Sequence, residues 1–256
     1  MSTYVYGIVE RAHADAVPFG TTGVGEPPQP VRILAEGDLA AVVSDAPEGL
    51  RPRDSALAAH RHVLAAAEAA GCVLPMRFGS IAPDDHAVAA VLAERAEHYR
   101  ERLRALTGRV EYTVRAAHHE QAVLHRVLAE SPELRALAEA NRRAGGGTYA
   151  QKLQFGEMVT AAVQAQEAEE AAEAQHTLEA SAEAVSVGSA SEGWLVDVSF
   201  LVDRDSAPEF LAAVAGLRRS HPHLDLRAEG PLPPYSFVEP GPAAPAGTVV
   251  PDENPE

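Results

Sequence analysis

The sequence predicts an α+β fold. Two observations carry the prediction: short β-branched and aromatic runs recur between stretches of helical periodicity, and from residue 108 their order is strand, helices, strand, helix, strand. That order is compatible with a ferredoxin-like sheet in which extra helices enlarge one crossover. With 46% hydrophobic and 23% charged side chains, the 256 residues can build one large or two small packed cores.

Tyr4-Val5-Tyr6-Gly7-Ile8-Val9 is too short and too β-branched for a helix and reads as a buried strand. The Pro- and Gly-rich stretch from Pro18 to Pro30 reads as a loop. Val31 to Leu34 and Leu39 to Ser44 flank the turn Glu36-Gly37-Asp38 as a hairpin. Leu57, His60, Leu64 and Ala67 share one face of a helix from Arg53 to Ala70, which Gly71 ends. Val73 to Ile81 is expected as a strand, and Pro83-Asp84-Asp85 opens a helix that runs to Gly108 with acids at its positive end. From Arg109 to Arg115 apolar and polar residues alternate, giving a strand with one wet face. Short helices follow at Glu120 to Ala129 and after Ser131-Pro132.

Thr148 to about Val185 reads as one long acidic helix, sustained by alanine's propensity and burying little, because Leu178 is the only large apolar residue between Val163 and Val185. Beyond a small-residue linker, Trp194 to Val202 is expected as a central strand. Ser206-Ala207-Pro208-Glu209 carries a capping-box signature for a helix with Phe210, Leu211, Val214 and Leu217 inward. Leu224 and Leu226 mark a last strand, and residues 240–256 read as a disordered tail.

Charge narrows the function. Lys and Arg number 21 against 37 Asp and Glu, a formal charge of −16 that argues against a general nucleic-acid binder. Residues 153–203 hold ten of the acids and no Lys or Arg. Glu169 with Glu173, and Glu179 with Glu183, are like charges at i, i+4, so the acidic helix is either a solvated face or a partner-binding arm. Cys72 alone can form no intrachain disulfide, and its apolar neighbours suit a small buried hydrophobe. No segment approaches the roughly 20 apolar residues of a membrane span, so a cytoplasmic protein is expected.

Enzymatic signatures are mostly absent. Gly20, Gly23 and Gly25 lack dinucleotide-loop spacing, Gly145-Gly146-Gly147-Thr148 lacks the Gly-Lys-Ser/Thr ending of a phosphate loop, and there is no Gly-x-Ser-x-Gly. His60 with His62, and His118 with His119, face different ways. His221 and His223 converge only if extended, with no carboxylate or cysteine at a familiar spacing. All are read as surface or packing histidines; no catalytic residue, metal or cofactor is expected. An enzyme assembled from scattered residues would need a pocket where Arg77, Tyr149 and Lys152 converge.

Two segments stand out. Leu74-Pro75-Met76-Arg77-Phe78-Gly79 sets an arginine and a phenylalanine in an extended run, with Arg77 expected to pair with a carboxylate. Gly230-Pro231-Leu232-Pro233-Pro234-Tyr235-Ser236-Phe237-Val238 is too apolar for a solvated linker and is expected to dock on this chain's core or on a partner.

In this order the segments resemble the gas vesicle protein F/L family. Tyr4 to Val9 is similar to its opening strand, and Leu74 to Gly79 to its Leu-Pro-x-Arg-Phe-Gly signature. Gly108 to Arg115 resembles its Gly-x-x-Glu-Trp-x-Val-Lys strand, with Tyr112 and Arg115 as departures. Tyr149 to Lys152 resembles Tyr-Leu-x-x-Lys with Ala150 in place of Leu, and Gly230 to Phe237 resembles its closing Gly-Pro-Trp-Pro-Pro-Tyr-Ser-Phe with Leu232 in place of Trp. The resemblance implies two α+β domains, 1–107 and 108–239, the second a modified ferredoxin-like fold with an extended helical insertion. It also implies a non-enzymatic accessory or minor structural protein, associated with gas vesicles and binding the hydrophobic major shell protein and other accessory proteins. Tyr6, Arg77, Phe78, Tyr112, Tyr149, Lys152, Pro234, Tyr235 and Phe237 are the candidate structural or partner-binding residues. A small-ligand-sensing regulatory protein is the alternative, since ferredoxin-like sheets also host such sites.

Overall fold

The strand β1 (Thr3–Glu10) is aromatic and β-branched, and almost every side chain on it is buried. In the computed structural model, which describes residues 1–14, 18, 20–69, 71–143, 145–188 and 194–239, it is the centre of a five-stranded sheet. After the single turn α1 (Arg11–Ala14), the hairpin β2 (Arg32–Glu36) and β3 (Leu39–Asp45) forms where the sequence places it. β3 pairs antiparallel with β1 from Thr3↔Asp45 to Glu10↔Leu39. On the other side of β1 lie β4 (Val73–Pro75) and β5 (Ile81–Ala82). Gly7 permits this approach: a Cβ there would come within 2.7 Å of Val73 and 2.9 Å of the Leu74 carbonyl.

The single strand expected from Val73 to Ile81 is thus two short ones separated by a turn. Met76 still bonds to Tyr6, but Gly79 takes a positive φ of 90° and Ser80 closes back onto the Arg77 carbonyl. α2 (Asp54–Glu68) turns His60, Val63, Leu64 and Ala67 into the core. The helix expected to run on to Gly108 breaks at Arg95 into α3 (Asp85–Glu94), capped by Asp84 on the Ala87 amide, and α4 (Ala96–Leu106).

The chain divides into two compact units. Met1–Ala105 joins the segment from Tyr235 onward, and Leu106–Pro234 forms the other. Tyr235 packs on the core of Tyr4, Tyr6, Val42 and Leu64, and the Phe237 carbonyl accepts from Arg102 at 2.6 Å. The closing segment therefore completes the first unit, whereas its place in the sequence assigns it to the second.

The second unit is built on β6 (Arg109–His118), the alternating strand. It is followed by α5 (Glu120–Glu130), α6 (Pro132–Arg143), α7 (Tyr149–Glu179), β7 (Ala184–Val187), β8 (Val196–Asp203), α8 (Ala207–Ser220) and β9 (Leu224–Leu232). The sheet is antiparallel in the order β7-β8-β6-β9. Val114, Val198, Phe200, Phe210 and Leu178 lie in its core. Thr148 and Gln151 cap α7 reciprocally, but the helix stops at Glu179 rather than near Val185. Val185 and Val187 alternate with serine and pair with β8, and strand pairing takes the segment that helix propensity alone would extend. Ser206 makes no side-chain cap, so the signature at Ser206 to Glu209 marks the start of α8 without the expected hydrogen bond. The expected tail, 240–256, and most of the expected linker lie outside the described residues.

Candidate functional site

The Leu-Pro-x-Arg-Phe-Gly segment is held by a chain of hydrogen bonds beneath it. A carbonyl only accepts, so His60 Nε2 donates to Met76 O at 3.1 Å, leaving Nδ1 to accept the Tyr4 hydroxyl at 2.9 Å; that hydroxyl in turn accepts the Gly79 amide at 3.2 Å. Phe78 lies edge-on to Tyr4 and His60, with centroids 6.1 and 5.8 Å away. Burial pushes the Tyr4 hydroxyl up to about 12, raises that of Tyr6 and lowers His60, so this cluster is uncharged near neutrality. Tyr6 is fully buried and bonded to Ser44 and the Val24 amide. Arg77 differs from expectation: it is exposed, and among the described residues no carboxylate pairs with it. The turn that packs Phe78 against the core places its neighbour outward.

Tyr112 is buried, its ring 5.2 Å from that of Phe210. Pro234 and Phe237 are buried and Tyr235 half-buried. Tyr149 and Lys152 are on the exposed first turns of α7, Tyr149 with 83% of its surface in solvent, and Leu153 beside them is 52% exposed. Arg77 belongs to the first unit and Tyr149 and Lys152 to the second.

Sequence reasoning missed one constellation. Glu170, in the middle of α7, is 2% exposed and forms the first step of a buried stripe continued by Ala174 and Leu178. Its Oε2 meets His118 Nε2, from the end of β6, at 2.7 Å and His223 Nε2, just before β9, at 2.8 Å. Its Oε1 is taken by Gln166 at 2.7 Å and by Arg126 at 3.0 Å. Burial opposes the carboxylate's charge, yet the donors from His118, Gln166 and His223 outweigh it and hold the carboxyl at about 2. An ionised carboxylate only accepts, so each Nε2 that bonds to it carries the proton. The two rings stack at 5.8 Å, and His118 Nδ1 lies 3.3 Å from Glu167 Oε1. Among the described residues this is the one group whose donor atoms converge as metal ligands would, all within 4.8 Å. Glu170 is 52 and 53 residues from its histidines, so no local spacing could reveal it. The available signal was a histidine at the end of β6 and another just before β9, the strands pairing there as His118↔Leu224.

Comparison with known proteins places this architecture. Residues 2–239 match the family described as gas vesicle synthesis protein GvpL/GvpF. The chain is 61% identical over 239 residues to gas vesicle protein F of Streptomyces sp. (strain CB03234), covering 93% of this chain and all of that protein. It is 30% identical to gas vesicle protein L of the same strain, covering 92% of each. The crystal structure of GvpF from Microcystis aeruginosa superposes with a TM-score of 0.71 at 20% identity, over 93% of this chain and 99% of that one. GvpF from Anabaena sp. PCC7120 does so at 0.74 and 21%, over 93% and 98%. Matched along nearly its whole length, the chain belongs to the gas vesicle synthesis protein GvpL/GvpF family.

Proposed function

We propose that this chain is an F-type, non-enzymatic accessory or minor structural protein of gas vesicle assembly. In this reading it acts in the cytoplasm and binds the hydrophobic major shell protein and other gas vesicle proteins. Family membership supports the assembly role, and the twofold higher identity to protein F than to protein L supports the type. The observation that carries shell-protein binding is the start of α7, where Tyr149 and Leu153, four residues apart on one helical face, are exposed although both are large and apolar. Such a stripe can cover apolar surface on a subunit awaiting incorporation. The second unit is read as a domain of modified ferredoxin-like type, supported by its β-α-β-β-α-β order with α5 to α7 in the first crossover.

Co-expression with the shell protein from the same source, followed by size-exclusion chromatography of the soluble fraction, tests the reading. Co-elution is expected, and a combined Tyr149→Ser, Leu153→Ser variant should lose it while keeping its melting temperature. A chain that elutes alone while the shell protein pellets, with normal vesicles in a deletion strain, overturns it.

A further inference from the structure

We propose that His118, Glu170 and His223 form a binding site for a divalent zinc-class metal ion, with water as the fourth ligand. Two imidazoles and one carboxylate are the donor set that zinc takes in three-ligand sites. The three side chains are 5%, 2% and 12% exposed, and they come from β6, α7 and the residue before β9, so an ion here would tie the long helix to the sheet.

Three features go beyond convergence. First, the carboxylate is divided: Gln166 and Arg126 hold Oε1, and Oε2 alone faces both Nε2 atoms. An outer partner that fixes a ligand's orientation in this way is the usual second layer of a metal site. Second, His118 has an outer partner of its own: its Nδ1 lies 3.3 Å from Glu167 Oε1, placed to hold the ring while Nε2 faces the ion. Third, the geometry is close. Zinc–ligand bonds of about 2.0–2.2 Å in a tetrahedron separate ligand atoms by roughly 3.3 Å, so the observed 2.7 and 2.8 Å contacts must open by about half an ångström. The adverse charge is Arg126, whose Nη1 lies 3.1 Å from His223 Nε2; it is engaged by Glu130 at 2.9 Å and by the far oxygen of Glu170.

The test uses the full chain, stripped with EDTA and titrated calorimetrically with zinc chloride at about pH 7.5. One ion per chain is expected, together with a rise in melting temperature and, with cobalt(II) instead, the visible absorption of a tetrahedral site. Glu167→Gln should weaken binding about tenfold. His118→Gln and His223→Gln retain an N–H donor toward Glu170, so circular dichroism in EDTA should show a folded protein. Each should abolish the thermal shift and weaken zinc binding by more than roughly a hundredfold, since a ligand counts for more than its orienting partner. Absence of saturable zinc uptake by the wild-type chain, or uptake that survives both glutamine substitutions, overturns the proposal.

Discussion

Tyr6 serves two buried partners through one oxygen, the Ser44 hydroxyl at 3.0 Å and the Val24 amide at 2.9 Å. Tyr6→Phe leaves the Val24 amide unpaired, although Ser44 keeps its bond to the Asp45 carbonyl, and should cost about 1–3 kcal/mol, measured by urea denaturation. Tyr4 sets an alkaline limit. Its folded value of about 12 lies above its ordinary 10, so its contribution to stability is complete below pH 10 and is lost as pH rises through 12. Alkaline unfolding followed by circular dichroism should therefore shift to higher pH in Tyr4→Phe. Arg77 shows where a motif misleads: an arginine in an apolar run suggests a buried ion pair, but the chain turns at Phe78-Gly79, and Phe78 packs on the core while the guanidinium is exposed. Arg77→Ala should change stability by less than about 0.5 kcal/mol, so any loss of partner binding in that variant reads as lost contact rather than lost fold.

At the scale of elements, α7 is about 46 Å long at 1.5 Å per residue; Phe155 to Val163 pack against α5 and α6, and Ala174 and Leu178 join the core of the sheet. Glu170→Leu removes the acceptor for His118, His223, Gln166 and Arg126 together. It should cost about 3 kcal/mol or more by thermal melting, unlike exposed Glu157→Leu on the same helix. Gly230→Ala should also destabilise, by about 1–3 kcal/mol, because a Cβ there would stand 2.4 Å from the Tyr112 ring. Elements with a strong local period were legible: β1, the β2–β3 hairpin, α2, β6 and α8 lie close to where spacing predicts them. Those that tertiary pairing decides were not, and β7 is the clearest case, since valines after an alanine-rich helix become a strand only when β8 is alongside. The candidate site divides the same way. The burial of Tyr6 and Tyr112 follows from strand pattern, whereas Glu170 reads as one more acid in an acidic run until the fold brings its histidines to it.

On the whole-molecule scale, the first unit is discontinuous in sequence. Tyr235 and Phe237 join its core, and Glu239 reaches Arg95 at 3.4 Å. Ending the chain at Pro234 removes a buried phenylalanine and should lower the first unit's stability by about 3 kcal/mol or more. Hydrogen exchange at β1 and β3 amides would report it, with β6 and β8 unchanged. The same arrangement orders the chain's synthesis. Residues 106–234 form the second unit, while the first unit includes Tyr235 and Phe237, which are synthesised after all of them. The unit begun first is the one finished last, so a translation product cut short anywhere before Phe237 carries an incomplete first core.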